Sequence, residues 1–143
     1  SGCPQPSYQS LKSSIESMLQ ANPDLKKIVV VGHSYGAILT SMLSSDWNNE
    51  VPVTLHLVAG PLAGMPALNK LCSYDPPSEI NKNVGFYEWR TIKELDGAFK
   101  DLDFDPQVIN LPGSNVRRLP ENYKGRKLGH NWSISWVADE ISN

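Results

Sequence analysis

The sequence of 143 residues is poor in several residue types that define whole classes of proteins. No apolar run approaches the roughly 20 residues that a membrane-spanning helix needs, which excludes such a span. The formal net charge is only −2, so there is no electrostatic reason to expect a nucleic-acid partner. Hydrophobic residues make up 40% of the chain and charged residues 20%, as in ordinary globular domains. We therefore expect a single domain over residues 1–143.

Cysteine is also scarce. Cys3 and Cys72 either form one disulfide or remain two thiols, and the sequence favours neither. The opening Ser1-Gly2-Cys3 resembles both the end of a bacterial lipoprotein signal and a remnant of cloning. The second interpretation is favoured because no apolar signal segment precedes it. The sequence does not identify the cellular compartment, although it slightly favours secretion or the cell envelope over the cytoplasm.

The most informative stretch runs from Ile28 to Ala37. Its β-branched residues predict a buried strand, which ends abruptly in Gly32-His33-Ser34-Tyr35-Gly36 and passes into a helix. Two glycines around one serine indicate a turn too tight for side chains on either side. Ser34 is then held at the tip of a nucleophile elbow, with its hydroxyl accessible to a base and to substrate.

Hydrophobic periodicity predicts an α/β fold around this elbow. A helix precedes the strand, a second helix follows the elbow, and a second buried strand covers 53–58. Because a strand, a helix and a strand form a right-handed crossover, the two strands should be parallel. The first helix carries an apolar stripe of Leu11, Ile15, Met18 and Leu19, and the second a stripe of Ile38, Leu39, Met42 and Leu43.

The second half of the chain is harder to interpret. We predict a loop over 61–83 with a short helix near 67–71, and a third strand over 84–89. Residues 91–105 combine a helical stripe with the turn signal Asp96-Gly97. A fourth strand is predicted over 108–111, followed by a polar loop over 112–129 that we interpret as solvated despite its basic residues. The chain ends in a helix marked by Ile134, Val137 and Ile141.

A serine hydroxyl needs a base and an orienting carboxylate before it can act as a nucleophile. The chain has three histidines. His33 neighbours the serine, where side chains diverge, and His56 lies within a buried strand, as a neutral core histidine does. His130 follows Gly129 just before the last helix, at the end of the sheet where ligands bind in open α/β folds. His130 is therefore our candidate base.

Asp96 is the best candidate for the orienting carboxylate because it follows the third strand and gives the order Ser, Asp, His. Asp101, Asp103 and Asp105 are close rivals.

With these motifs, the chain resembles the carboxyl-terminal half of an α/β-hydrolase, closest to compact lipases and esterases. The matching segments are the elbow, residues 58–64, residues 94–99, and Gly129-His130. The resemblance implies a mainly parallel sheet flanked by helices, as a reduced or truncated version of that fold. It also implies that Ser34, Asp96 and His130 form a catalytic triad and that the N–H of Tyr35 serves the oxyanion hole.

The same resemblance implies a serine esterase or lipase that acts on a small-molecule or lipid ester and needs no metal or cofactor. Leu62, Met65 and Leu68 are candidates to line an acyl pocket, although packing explains them equally well. The alternatives are a non-catalytic binding or scaffold subunit and an acyltransferase or thioesterase with the same triad.

Family members carry several strands before the elbow, and one early loop there supplies a second oxyanion donor. Only one helix precedes the elbow strand in this sequence. We therefore expect either a second chain or a missing amino-terminal segment to complete the sheet, or else a smaller enzyme with a rebuilt oxyanion hole. The sequence Asn131-Trp132-Ser133 is a glycosylation motif, which we predict to be unoccupied because a glycan there would crowd the site.

Overall fold

A computed structural model of the protein describes residues 3–143. Its main sheet has four parallel strands in the order β1-β2-β3-β4. The strands are β1 (Ile28–His33), β2 (Val53–Val58), β3 (Val84–Arg90) and β4 (Asn115–Arg118). Val30 pairs with Leu55, which in turn pairs with Phe86, so the first three strands are aligned. The parallel sheet with flanking helices confirms the predicted α/β class.

Within the described residues, five α-helices accompany the sheet. They are α1 (Pro4–Ala21), α2 (Tyr35–Ser41), α3 (Leu43–Asp46), α4 (Pro66–Cys72) and α5 (Ser133–Ile141). A 3-10 turn spans Lys93–Leu95, and a small antiparallel hairpin joins β5 (Asn122–Tyr123) to β6 (Arg126–Lys127). None of the helices within residues 3–143 has both the length and the apolar composition that crossing a bilayer requires.

The buried side chains form two hydrophobic clusters. The first joins α1 and α2 to the sheet and includes Ile15, Ile38 and Leu55. The second lies where α5 covers the ends of β2 and β3, and includes Phe99 and Val137. Each such side chain contributes roughly 1.5 to 3 kcal/mol when it leaves water. Through Phe99, the second cluster supports the segment that carries the candidate carboxylate Asp96.

β1 lies at one end of the main sheet. Val29 and Val31, on one face of this strand, are 50% and 41% exposed, whereas Ile28 is 5% exposed. Among residues 3–143, no strand pairs with the outer edge of β1. The expectation that a further segment or chain completes the sheet stays a prediction.

The predicted strand over 108–111 is wrong, and so is part of the predicted loop over 112–129. Residues 108–111 form no strand, and the fourth strand lies at Asn115–Arg118, inside the predicted polar loop. The pattern misleads because β4 is an edge strand with Val116, Arg117 and Arg118 exposed, whereas Leu111 is 6% exposed and packs into the core from a loop.

Residues 91–105, where the sequence combines a helical stripe with a turn signal, form no α-helix. After the 3-10 turn, Oδ1 of Asp96 accepts hydrogen bonds from the N–H groups of Ala98 and Phe99. Such local bonds from an aspartate compete with helix formation. Of the apolar residues at this spacing, Phe99 is buried, whereas Ile92, Leu95 and Leu102 are half-buried.

Cys3 and Cys72 form a disulfide. The bridge ties the residue that precedes α1 to the last residue of α4, which are 69 positions apart in the chain. This settles the alternative that the sequence leaves open. Ser1 and Gly2, which belong to the motif discussed with Cys3, lie outside the described residues.

Candidate active site

Ser34 lies between β1 and α2, at the carboxyl end of the sheet. Its backbone adopts φ 59° and ψ −119°, a positive φ that a residue with a side chain seldom takes. The N–H of Ser34 donates to the carbonyl oxygen of Val58 at 2.9 Å, which continues the pairing of β1 with β2. The strained serine is therefore held by the sheet on one side and by the start of a helix on the other.

The two glycines of the motif have different environments. A Cβ atom on Gly32 would lie 2.4 Å from both the carbonyl oxygen of Gly36 and Oγ1 of Thr40, because β1 and α2 approach closely there. A Cβ atom on Gly36 would meet nothing within 4 Å. The expectation that both positions exclude side chains is therefore correct for Gly32 and wrong for Gly36.

The loop before α5 brings His130 to the elbow. Oγ of Ser34 and Nε2 of His130 are 2.8 Å apart, which is hydrogen-bonding distance for a hydroxyl that donates to an imidazole. The side chain of His130 is 12% exposed. This nitrogen is thus placed to receive the proton of the serine hydroxyl.

The other ring nitrogen of His130 contacts Asp96. Nδ1 of His130 donates to Oδ2 of Asp96 at 2.9 Å, and the aspartate is fully buried. Because a carboxylate only accepts, Nδ1 carries the hydrogen, and Nε2 is then free to accept from Ser34. The structure thus brings together the three residues that the sequence nominates.

The rival carboxylates lie elsewhere. Asp101 and Asp103 are exposed, and Oδ1 of Asp105 accepts hydrogen bonds from the backbone and side-chain amides of Gln107. Among the described contacts of His130, its carboxylate partner is Asp96.

Asp96 is stabilised as an anion. Burial on its own would raise its pKa, but hydrogen bonds from His130 and Thr91, the charge of His130 and the N–H of Ala98 outweigh burial and lower the pKa below its ordinary value of 3.8. The carboxylate therefore stays charged where an imidazolium cation would need it.

Thr91 and Gln107 are site residues that the sequence analysis missed. Oγ1 of Thr91 donates to Oδ2 of Asp96 at 2.6 Å. Oε1 of Gln107 accepts from the N–H of Thr91 at 2.9 Å, and its Nε2 donates to the carbonyl of Thr91 at 3.0 Å. All three side chains are almost fully buried. The available signal was the position of Thr91, a polar residue directly after β3.

Phe99 supports the imidazole from another direction. Its ring meets the ring of His130 edge-on, with 4.9 Å between centroids and 81° between planes. Phe99 is 2% exposed and belongs to the second hydrophobic cluster. The imidazole of His130 is therefore oriented by an apolar ring as well as by hydrogen bonds.

The other two histidines have different partners. Nδ1 of His56 accepts from the indole N–H of Trp89 at 3.0 Å, and burial lowers the pKa of His56, in agreement with a neutral core histidine. His33 is closer to the site than expected, because its Nε2 donates to the backbone carbonyl of His130 at 2.8 Å.

The candidate binding residues separate into two groups. Tyr35 is the first residue of α2, directly after Ser34, and the residue is 37% exposed. Met65 is partly buried against the second cluster, and Leu68 packs against the first. Leu62 is 1% exposed within the first cluster, as the packing alternative predicts, and its role in an acyl pocket stays a prediction.

Comparison with known proteins identifies a family for the chain. The family model described as "Lipase (class 3)" matches residues 6–96, which include the elbow and Asp96. A Porphyromonas gingivalis protein described as an Fe(2+) transport protein A/Fe(2+) transporter FeoB fusion is 26% identical over 94 residues. That stretch covers 66% of this chain but only 11% of the fusion protein, so the likeness carries no functional weight. No solved structure matches the chain.

Proposed function

Because the chain belongs to the class 3 lipase family, we propose that it is a serine hydrolase that cleaves carboxylic esters through an acyl-enzyme. The observation that carries this proposal is the chain of two hydrogen bonds from Ser34 through His130 to Asp96. Nucleophile, base and orienting acid are each within 2.9 Å of the next. A purely structural cluster has no need of a strained serine at its end.

In the first half-reaction, Oγ of Ser34 attacks the carbonyl carbon of the ester while its proton passes to Nε2 of His130. The buried charge of Asp96 stabilises the imidazolium that results. When the tetrahedral intermediate collapses, the carbon–oxygen bond to the alcohol breaks and Nε2 gives its proton to the leaving oxygen. The acyl group then remains on Ser34.

In the second half-reaction, His130 takes a proton from water as the water oxygen attacks the acyl carbon. The bond to Oγ breaks, the proton returns to Ser34 and the carboxylic acid leaves. We propose the backbone N–H of Tyr35 as an oxyanion donor in both halves because it follows the nucleophile directly. Neither half-reaction needs a metal or a cofactor.

For the substrate, we propose a lipid or small-molecule ester, which the family favours. Met65 and Leu68, which are both partly buried, are candidates for contact with the acyl group together with Leu62. Hydrolysis of p-nitrophenyl acetate, butyrate and palmitate by the same sample will show which acyl length is preferred.

A fluorophosphonate probe tests the proposal because it labels only an activated serine. We expect wild-type protein to be labelled at Ser34 and Ser34→Ala to be unlabelled. Ser13→Ala, which alters an exposed serine of α1, serves as the matched control and should be labelled as wild type. A folded wild-type sample that neither reacts with the probe nor turns over any ester would contradict the proposal and favour a binding or scaffold role.

A further inference from the structure

His33 contacts the proposed base from the elbow side. Its Nε2 lies 2.8 Å from the carbonyl oxygen of His130, and the two rings have centroids 5.0 Å apart. Because a carbonyl oxygen only accepts, His33 must carry a hydrogen on Nε2. The same carbonyl also accepts from Oγ of Ser133 at 2.6 Å, so both of its lone pairs are used.

The two donors to this carbonyl lie at very different distances from His130 along the chain. Ser133 is three residues from His130 and shapes only the local turn before α5. His33 is 97 residues away in the chain and is the immediate neighbour of Ser34. Its hydrogen bond therefore fixes the backbone of the base relative to the nucleophile.

Within residues 3–143, two hydrogen bonds connect the elbow to His130, and they differ in what happens during the reaction. The bond from Oγ of Ser34 to Nε2 is lost once Ser34 is acylated, because that oxygen no longer carries a hydrogen. The bond from His33 to the carbonyl of His130 involves no reacting atom and remains. The base must nevertheless stay in place at this stage to activate water.

We infer that His33 is a positioning residue that holds the backbone of His130 at the elbow during the acyl-enzyme stage, when Ser34 no longer does so. This inference rests on the proposed ester hydrolysis. Its consequence is selective, because loss of the His33 donor should slow deacylation more than acylation. During acylation the hydrogen bond from Ser34 itself still aligns the imidazole.

Two amide variants separate the effect of the hydrogen bond from the effect of the imidazole ring. In His33→Gln, the amide nitrogen reaches about as far along the side chain as Nε2 and can still donate to the carbonyl. In His33→Asn, the same group is one methylene shorter and falls short. Neither variant should unfold the protein, because His33 is only partly buried, and thermal unfolding of both checks this.

The experiment measures the burst and steady-state phases of p-nitrophenyl ester hydrolysis. We expect His33→Asn to lower the deacylation rate constant by about tenfold and acylation by no more than about threefold, so that the acyl-enzyme accumulates. His33→Gln should restore deacylation to within about threefold of wild type. Equal losses in both phases, a wild-type rate in His33→Asn, or no rescue in His33→Gln would overturn the inference.

Imidazole nitrogen NMR of the wild-type protein gives a readout that does not depend on turnover. We expect His33 to carry its hydrogen on Nε2, with slow solvent exchange, and an Nδ1–H tautomer would refute the contact. A wild-type protein that no ester acylates overturns the proposed function and the deacylation role with it. An active wild type with unaffected His33 variants overturns only the role of His33.

Discussion

The hydroxyl of Thr91 donates to Oδ2 of Asp96 at 2.6 Å, and the same oxygen accepts from Nδ1 of His130. One carboxylate oxygen is thus shared between the base and a buried threonine. The other oxygen accepts from two backbone N–H groups, at Ala98 and Phe99. The aspartate therefore has four donors, and three of them come from the segment that follows β3.

Thr91→Val removes one of these donors while it keeps the volume of the side chain. We expect turnover to fall by about three- to tenfold, because the carboxylate loses a hydrogen bond to its charged form and its pKa rises. Steady-state ester hydrolysis measures the effect. Thr91→Ser keeps the hydroxyl and is the matched control, so its turnover should lie between those of wild type and Thr91→Val. A valine variant as fast as wild type would remove Thr91 from the proposed machinery.

Asp96→Asn tests the choice among four carboxylates. We expect kcat to fall by about four orders of magnitude, since an amide favours the wrong imidazole tautomer and gives no charge to the imidazolium. Asp101→Asn and Asp103→Asn alter exposed carboxylates nearby and should keep wild-type rates. Circular dichroism checks that each variant is folded. If Asp96→Asn were fully active, the acid would have to be another residue.

The unequal glycines of the elbow give a paired prediction. Gly32→Ala should abolish activity and strongly destabilise the protein, because its Cβ would overlap the carbonyl oxygen of Gly36 and the hydroxyl of Thr40. Gly36→Ala should fold normally, since its Cβ enters open space and alanine favours a helix by up to about 1 kcal/mol. Denaturant unfolding and fluorophosphonate labelling measure both. If the two variants had the same stability and the same labelling, the close approach of β1 and α2 at Gly32 would be contradicted.

His56 predicts part of the acid sensitivity of the fold. Burial lowers its pKa from 6.5, so below pH 6.5 the unfolded chain binds a proton at this residue that the folded protein does not. The free energy of unfolding should then fall as pH decreases from 6.5 towards the folded pKa, by at most about 1.4 kcal/mol per pH unit. Above pH 6.5 this contribution is constant.

The matched variant is His56→Asn, whose Oδ1 can still accept from Trp89 but does not titrate in this range. Urea denaturation between pH 5 and pH 8 should show a shallower decline for the variant than for wild type. Parallel pH profiles would mean that His56 does not contribute to acid sensitivity.

Much of the fold is predictable because its first half follows simple rules. The strands at 28–33 and 53–58 are short apolar runs that end in glycine-containing turns, and the crossover rule fixes their parallel pairing. β4 is different, because an exposed edge strand needs no apolar pattern and is held by backbone bonds to β3. Hydrophobic periodicity therefore cannot predict β4.

The candidate site also contains residues that the sequence predicts and residues that it does not. Ser34, His130 and Asp96 are nominated by residue type, order and position relative to strands. Thr91 and His33 act through contacts with residues distant in the chain or across a turn, and such contacts depend on the exact packing of loops. Leu62 shows the converse, since an apolar residue in a predicted loop is in fact part of the core.

The common direction of the four strands also divides the molecule into two ends with different tolerance to alteration. Residues of the proposed site follow β1, β3 and the hairpin after β4, so they lie at one rim. The opposite rim is built from the segments that lead into the strands, among them the exposed residues 22–24. An epitope or fluorophore inserted there would leave Ser34, His130 and Asp96 undisturbed, which makes that turn the natural point of attachment for engineering this protein.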